Sequence, residues 1–478
     1  MATISSAGVG SGLDVESIVT QLMAIERRPI TLLQEQTKKI ETQLSAFGKL
    51  QSALSTFRDK ARALAGADAW SPTIASSADE AAVGVSTGNG SVPGSYAISV
   101  SQLAKAQTLA SGTFASDEAV VGAGTLTIDV GSWAGTVLTP RAGSTAVNIT
   151  VDAGDTLKVV RDKINGSDAG VVASIVNDAN GARLTLRSTT SGQDYGFRVA
   201  VTDVDGNAGD AVGLSALAYD PGGGGASMSR TQVGSNALAM INGVAIESNT
   251  NTLENVIDGL TVRLGKVTTS DVDVAVTQDS EAIKKAVTEF ANAHNELVKQ
   301  VRDQIKFNEG SKTGGPLQGD RAAVGLQQQL RSLLGGVTGA SDVFKRMADI
   351  GLDPQSDGTL AVRGSKLDGA VANVRELKKF FANVDVADVS KNGFATVLRD
   401  FADELLGAEG SLTTKQESLR SRIARNEDRE AQLEDRMTLV ERRMRSQYTA
   451  LDAQMAKLNS LSTYMTRQLA ALSNTRKE

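Results

Sequence analysis

The 478 residues contain no cysteine. Disulfides, zinc thiolate centres and thiol nucleophiles are therefore excluded. There is one histidine, His294. A multi-histidine metal site cannot be built from it, and a Ser-His-Asp site would depend on it alone. Aromatic residues make up 4% of the chain, with two tryptophans, a thin stacking surface for a carbohydrate cleft. The net charge of −6 and pI of about 5.2 lack the basic footprint of a nucleic-acid binder. No apolar run reaches the roughly 18 residues that a bilayer helix needs, so no membrane partner is expected. The N-terminus has no basic segment followed by an apolar run, which by itself predicts a cytoplasmic protein. From Ser411 to the C-terminus there is neither glycine nor proline.

That last absence frames the rest. Thr414-Lys415-Gln416-Glu417 reads as a capping box that opens a helix. Apolar residues then recur at Leu419, Ile423, Leu433, Met437, Val440 and Met444, and on through Tyr448, Leu451, Met455, Leu458, Leu461, Met465 and Leu469. Steps of three and four place them on one stripe. About 60 residues at 1.5 Å each predict a rod of about 90 Å, too long for one globular core and suggestive of a coiled coil. Residues 411–445 hold nine Lys/Arg and seven Asp/Glu, whereas 446–474 hold only Asp452, Lys457 and Arg467. The second half is thus expected to be buried against protein.

The N-terminus mirrors this. Residues 2–25 carry two charges, Asp14 and Glu16. Asp14 can cap a helix bearing Ile18, Val19, Leu22, Met23 and Ile25, which Arg28-Pro29 should interrupt. Gly8-Val9-Gly10-Ser11-Gly12 has no preceding strand and is not a dinucleotide loop. A second helix shows heptad-like spacing at Leu44, Phe47, Leu50, Leu54 and Phe57. With Leu433, Met437, Val440 and Met444 these are the expected coiled-coil positions, a plain helical bundle being the other reading.

Residues 70–280 change character, rich in Gly, Ser, Thr and Val with short alternating runs. Strands are expected at Tyr96–Val100, Leu126–Val130, Val147–Val151, Met240–Ile246, Leu260–Leu264 and Val272–Thr277. A helix is expected over Thr156–Ile164, and a type I′ hairpin around Asn180-Gly181. Gly222–Gly225 reads as a flexible linker without the signature of a phosphate loop. Helices return with Ile283, Val287, Phe290, His294, Leu297, Val301 and Ile305 on one stripe, then over Ala322–Leu334, Lys366–Phe381 and Phe394–Leu406, with a hairpin over Ile350–Val362. His294 reads as a satisfied structural histidine. The carboxylate pairs Asp203/Asp205 and Asp271/Asp273 lack EF-hand spacing. Neither an enzyme nor a cofactor is expected. The fold class is α+β: a long terminal α-helical coiled-coil leg and a β-rich head of two domains, one inserted in the other. The expected boundaries are 1–40 and 446–478 for the leg end, 41–69 and 281–445 for the leg, 70–111 with 229–280 for the inner head domain, and 112–228 for the inserted one.

Five stretches then resemble one family: Gly10–Val19 running to Met23, Gly94–Ala104, Asn251–Thr261, Asp349–Leu352 with Gly358–Leu360, and Tyr448–Asp452 through Met455, Leu458 and Tyr464. Together they are similar to the bacterial flagellar filament cap family, the second of the hook-associated proteins. Asp155–Asn165 and on to Leu184 resembles the Ile-Asn repeat of flagellins and cap proteins. The resemblance implies a homo-oligomeric ring of about five or six copies at the filament tip, closed by heterologous contacts. It implies flagellin as partner, with the cap preventing flagellin leakage and promoting polymerisation. It also implies secretion through the flagellar type III export channel and a cytoplasmic export chaperone on the C-terminal helix, which revises the cytoplasmic expectation. The leg residues expected to touch the filament, or one another, are Leu13, Ile18, Leu22, Ile25, Leu451, Met455, Leu458, Met465 and Leu469. Two alternatives stay open: a hook–filament junction or filament subunit, and a surface adhesin binding a host ligand through 112–228.

Overall fold

The computed structural model describes residues 14–204, 206–207, 209–223, 225–310 and 312–474. The chain opens with helices α1 (Val15–Glu26) and α2 (Arg28–Ala65). It continues through β1 (Thr73–Ser77), β2 (Val83–Thr87), β3 (Gly94–Gln102), β4 (Thr108–Ala110), β5 (Gly124–Ala134), β6 (Val137–Pro140) and β7 (Val147–Val151). Next come α3 (Leu157–Asn165), β8 (Val171–Asp178), β9 (Gly181–Ser188), β10 (Gly196–Asp203), β11 (Ser229–Gln232), β12 (Ala237–Ile241) and β13 (Val244–Ser248). The sheets end with β14 (Thr252–Ile257), β15 (Leu260–Leu264) and β16 (Val272–Gln278). Helix returns as α4 (Ser280–Ile305), the short hairpin β17–β18 (Phe307–Asn308, Thr313–Gly314) and α5 (Arg321–Leu334). The hairpin β19–β20 (Leu352–Pro354, Leu360–Val362) follows, then α6 (Gly364–Val371), α7 (Val374–Ala382), α8 (Phe394–Leu406) and α9 (Ser411–Asn474). Contacts divide the chain into two compact units, one of 71–279 and one of the described residues in 1–70 and 280–478.

In the helical unit, Asp14 Oδ1 accepts from the Ser17 amide at 2.9 Å and starts α1 as expected. Pro29 sits in the first turn of α2, where its missing N–H costs nothing. The expected coiled coil gives way over most of α2. Phe47, Leu50, Leu54 and Phe57 are fully buried, and Leu44 half-buried, in a bundle core shared with α4, α7, α8 and the start of α9. The rings of Phe57 and Phe290 lie 5.4 Å apart, and Trp70 stacks on Phe381 at 5.6 Å. Heptad spacing gives a buried stripe whether one helix or four cover it, so the partner count was not encoded there. Helices α2 and α9 run antiparallel both within the bundle and beyond it. Gln51 meets Gln416 at 2.8 Å, Thr37 meets Asn426 at 3.1 Å and Gln34 meets Glu430 at 2.6 Å.

Two local expectations also change. Helix α9 starts at Ser411, because Gly410 accepts the first intrahelical bond from the Thr414 amide at 2.9 Å. The expected capping box therefore lies inside the helix rather than at its start. The single helix expected over Lys366–Phe381 breaks at Ala372-Asn373. Six residues at 3.6 per turn would rotate Leu377 about 120° away from Val371. The break lets Leu367 and Val371 share a core with Leu377, Phe380 and Phe381.

The β unit has two cores. A five-stranded antiparallel sheet, β1-β16-β3-β12-β13, and a three-stranded sheet, β14-β15-β2, enclose Ile98, Val100, Ala239, Ile241, Val262, Leu264 and Val274. The second core lies between β10-β5-β6, with β7 also on β5, and β11-β4-β9-β8. Helix α3 closes it with Leu157, Val160 and Ile164, the face expected from the sequence. The chain enters this part on β4 and leaves on β11, which pair antiparallel with Leu109 opposite Arg230. One domain is thus inserted in the other, and Leu109 already belongs to the inserted core.

The run Met240–Ile246 is two strands, β12 and β13, turning at Asn242-Gly243 with φ of 48° and 81°. Asn-Gly between apolar residues is the strongest short hairpin signal, and it identifies this turn. The β8–β9 hairpin pairs as expected, but its tip is Ala179-Asn180, one residue earlier. Gly181 is required for another reason: at φ +131° a Cβ there would lie 2.1 Å from the Phe114 carbonyl oxygen. Of the stretch expected as a linker at Gly222–Gly225, Gly224 lies outside the described residues, and the Gly225 carbonyl accepts from the Asp220 amide at 2.5 Å.

Side-chain amides stitch neighbouring segments together. Asn165 donates to the Ala173 carbonyl at 2.9 Å and accepts from its amide at 2.7 Å. Asn251 does the same with Ala104, and Asn295 with Leu360. Each satisfies the amide and carbonyl of one residue on a side where no strand pairs with it.

Candidate functional site at the end of the long helices

Helix α1 packs on α9. Val15, Val19, Met23 and Ile30 form a small core with Met437 and Val440, flanked by Leu433, Met444 and Tyr448. Burial of these side chains holds α1 against α9. Arg445 clamps the Glu16 carboxylate with both Nη atoms, at 2.5 and 2.7 Å, and its Nε meets Glu441 at 3.0 Å. The hydrogen bonds from Arg445 hold the Glu16 carboxyl below its ordinary pKa.

The expected contact residues separate into groups. Ile18 and Leu22 are half-buried and Ile25 is 63% exposed, so the face they share is the rim of the α1–α9 seam. Leu13 lies outside the described residues. Leu451, Leu458, Met465 and Leu469 are exposed, at 59% for Leu458 and 62% for Leu469, and Met455 is half-buried. They do not meet α1, as one of their two expected arrangements required. The reason is register. Thr37 lies by Asn426 and Glu16 by Arg445, so the antiparallel partner of α9 has reached its first helical turn there. Residues 451–469 run on beyond Val15. Of the expected coiled-coil positions on α9, Met437 and Val440 are buried in the seam and Leu433 and Met444 flank it. Val15 and Ile30 escaped the sequence reading, although Val15 lies four residues before Val19 on the same stripe. The Glu16–Arg445 clamp could not be found without the register.

What remains is a helix end with Leu451, Leu458, Leu461, Tyr464, Met465 and Leu469 exposed and three charges between 446 and 474. No helix among the described residues is long and apolar enough to cross a membrane. Among those residues no group of three His, Cys, Asp or Glu could hold a metal. Asp203 accepts from the Ser215 amide and hydroxyl at 3.1 Å each, and Asp273 is exposed on a strand.

A helical bundle with a two-helix seam, two nested β domains and an exposed apolar stretch of helix define an α+β protein. The flagellar hook-associated protein 2 N-terminus matches residues 11–107, and its C-terminus matches 234–460. The flagellin hook IN motif matches 125–190, starting well before the Asp155–Leu184 stretch that resembles it in the sequence. The flagellar hook-associated protein 2 of Escherichia coli K12 is 33% identical over the full length of both chains. That of Salmonella typhimurium is 30% identical over 99% of each. The crystal structure of the flagellar cap protein FliD D1-D2-D3 domains from Escherichia coli superposes with a TM-score of 0.61 at 30% identity, covering 78% of this chain and 99% of that one. The chain belongs to the flagellar hook-associated protein 2 family.

Proposed function

We propose that this chain caps the distal tip of the growing flagellar filament, keeps flagellin from leaking out of the channel and promotes its polymerisation. One observation beyond family membership supports this reading: the charge-poor apolar end of α9, which the rest of the described chain leaves largely uncovered. Leu451, Met455, Leu458, Met465 and Leu469, with the Ile18, Leu22 and Ile25 rim, contact filament subunits. Each apolar Å² removed from water there contributes about 25 cal/mol. A contact of a few such side chains is strong enough to seat the cap and weak enough to be remade as each subunit is added. The protein acts through surfaces rather than through a reaction or a cofactor.

The working form is a ring of about five or six copies, closed by heterologous contacts of the β unit. The chain leaves the cell through the flagellar export channel, and a chaperone covers the apolar end of α9 beforehand. Deleting 446–478 tests this reading. The β unit has its own two cores and stays folded, while the truncated chain fails to restore motility to cap-deficient cells. Restored motility would overturn it.

A further inference from the structure

His294 sits on the buried stripe of α4 with no exposed surface. Its Nε2 lies 2.9 Å from the Gly358 carbonyl oxygen at the tip of the β19–β20 hairpin. A carbonyl only accepts, so Nε2 carries the proton and Nδ1 is the bare nitrogen. Among the described residues Nδ1 has no hydrogen-bond partner. The ring faces Phe57 of α2, centroids 5.7 Å apart. Beside it, Asn295 takes both backbone bonds of Leu360, so α4 grips the hairpin at two adjacent positions.

The charged groups around this site are engaged elsewhere. Lys60 of α2 pairs with Glu289 of α4 at 2.7 Å, and Arg58 of α2 reaches Asp403 of α8 at 3.6 Å. Asp357 of the hairpin pairs with Arg302 of α4 at 3.1 Å, and Asp353 with Arg363 at 3.0 Å. Lys284 of α4 pairs with Asp368 of α6 at 2.6 Å, and Lys379 of α7 with Glu376 at 2.7 Å. The Arg331 guanidinium of α5 donates to the Ser356 carbonyl at 2.9 Å.

We propose that His294 is an acid-sensitive latch: neutral, it clamps the β19–β20 hairpin onto the helical core, and protonated, it releases it. A second ring proton on Nδ1 would be buried against Phe57 without an acceptor, a placement that costs far more than the single bond to Gly358 returns. Burial lowers the ring's pKa below the ordinary 6.5, against the opposing pull of the Gly358 carbonyl. The unfolded or released state therefore binds the proton first. The latch's contribution is fully present above the ordinary pKa and is lost as pH falls from there to the folded value.

Because the chain has one histidine, its imidazole resonances need no assignment. We would follow them by NMR on the untagged full-length chain from about pH 7.5 to pH 4.5, with hairpin amide exchange measured in parallel. The expected result is a titration below the ordinary histidine range. After correction for the intrinsic rate, exchange at the Leu360 and Thr359 amides should rise about tenfold for each pH unit between the unfolded value and the folded one. His294→Phe, which keeps a ring against Phe57, should make the hairpin exchange insensitive to pH in this window. A ring that titrates at its ordinary pKa, or hairpin exchange in the native chain that does not change with pH, would overturn the proposal. Should the Phe variant not fold, the native titration alone decides.

Discussion

Replacing Leu458 by Asp separates assembly from folding. Leu458 is 59% exposed, and no described part of the chain covers it. Fully burying a leucine is worth about 1.5–3 kcal/mol, so the share still open to a partner is worth about 1–2 kcal/mol, or about 5- to 30-fold in each subunit's docking equilibrium. An aspartate in the same contact adds a desolvation cost of several kcal/mol unless it is protonated or expelled. In the isolated chain the change is an exposed helix substitution, worth no more than about 0.7 kcal/mol. The contrast is Val440→Asp. Val440 is 8% exposed in the seam with α1, so that variant should loosen the isolated chain as well. The assay pairs thermal unfolding of each purified variant with filament length and leaked flagellin in a cap-deficient strain producing it. Leu458→Asp should unfold within a few degrees of the parent yet leave short filaments and free flagellin. Normal filaments with no leaked flagellin would refute the reasoning that this stripe seats the cap.

Two further outcomes follow from the interior. Asn165→Ala removes both bonds to Ala173 and leaves that residue's amide and carbonyl without them, which should cost about 1–3 kcal/mol in denaturant unfolding and expose the β8 amides to exchange. The Glu376 carboxyl accepts from Lys379, the Ser341 hydroxyl and the Asp342 amide, which push its pKa down to about 2 from an ordinary 4.5. Its contribution is present above pH 4.5 and is lost as pH falls towards 2, so Glu376→Gln should flatten that part of the acid-unfolding profile.

Much of this architecture could be read in the sequence where a local pattern had one solution. Alternation along Tyr96–Val100, the Leu157/Val160/Ile164 face and the Ile283–Val301 stripe each specify one buried face, and the structure buries them so. Asp14 and Pro29 are read correctly because capping and proline chemistry act within one turn. The misses concern geometry at longer range. The Ala372-Asn373 break carries no glycine or proline and exists only to bring two faces onto one core. Phe47–Phe57 shows the same spacing in a bundle as in a coiled coil. The seat of α1 depends on a register set by pairs such as Gln51–Gln416, far from either end. The Asn242-Gly243 turn, like Val15, was legible and overlooked, its two strands reading as one run across the Asn-Gly pair.

Electron cryomicroscopy of filament tips from cells producing this chain tests the central claim most directly. The account predicts a closed ring at the distal tip, with the 451–469 stripe of each copy against filament subunits. Copies found only along the shaft or at the hook junction, or a tip ring whose 451–469 segments face solvent, would contradict it.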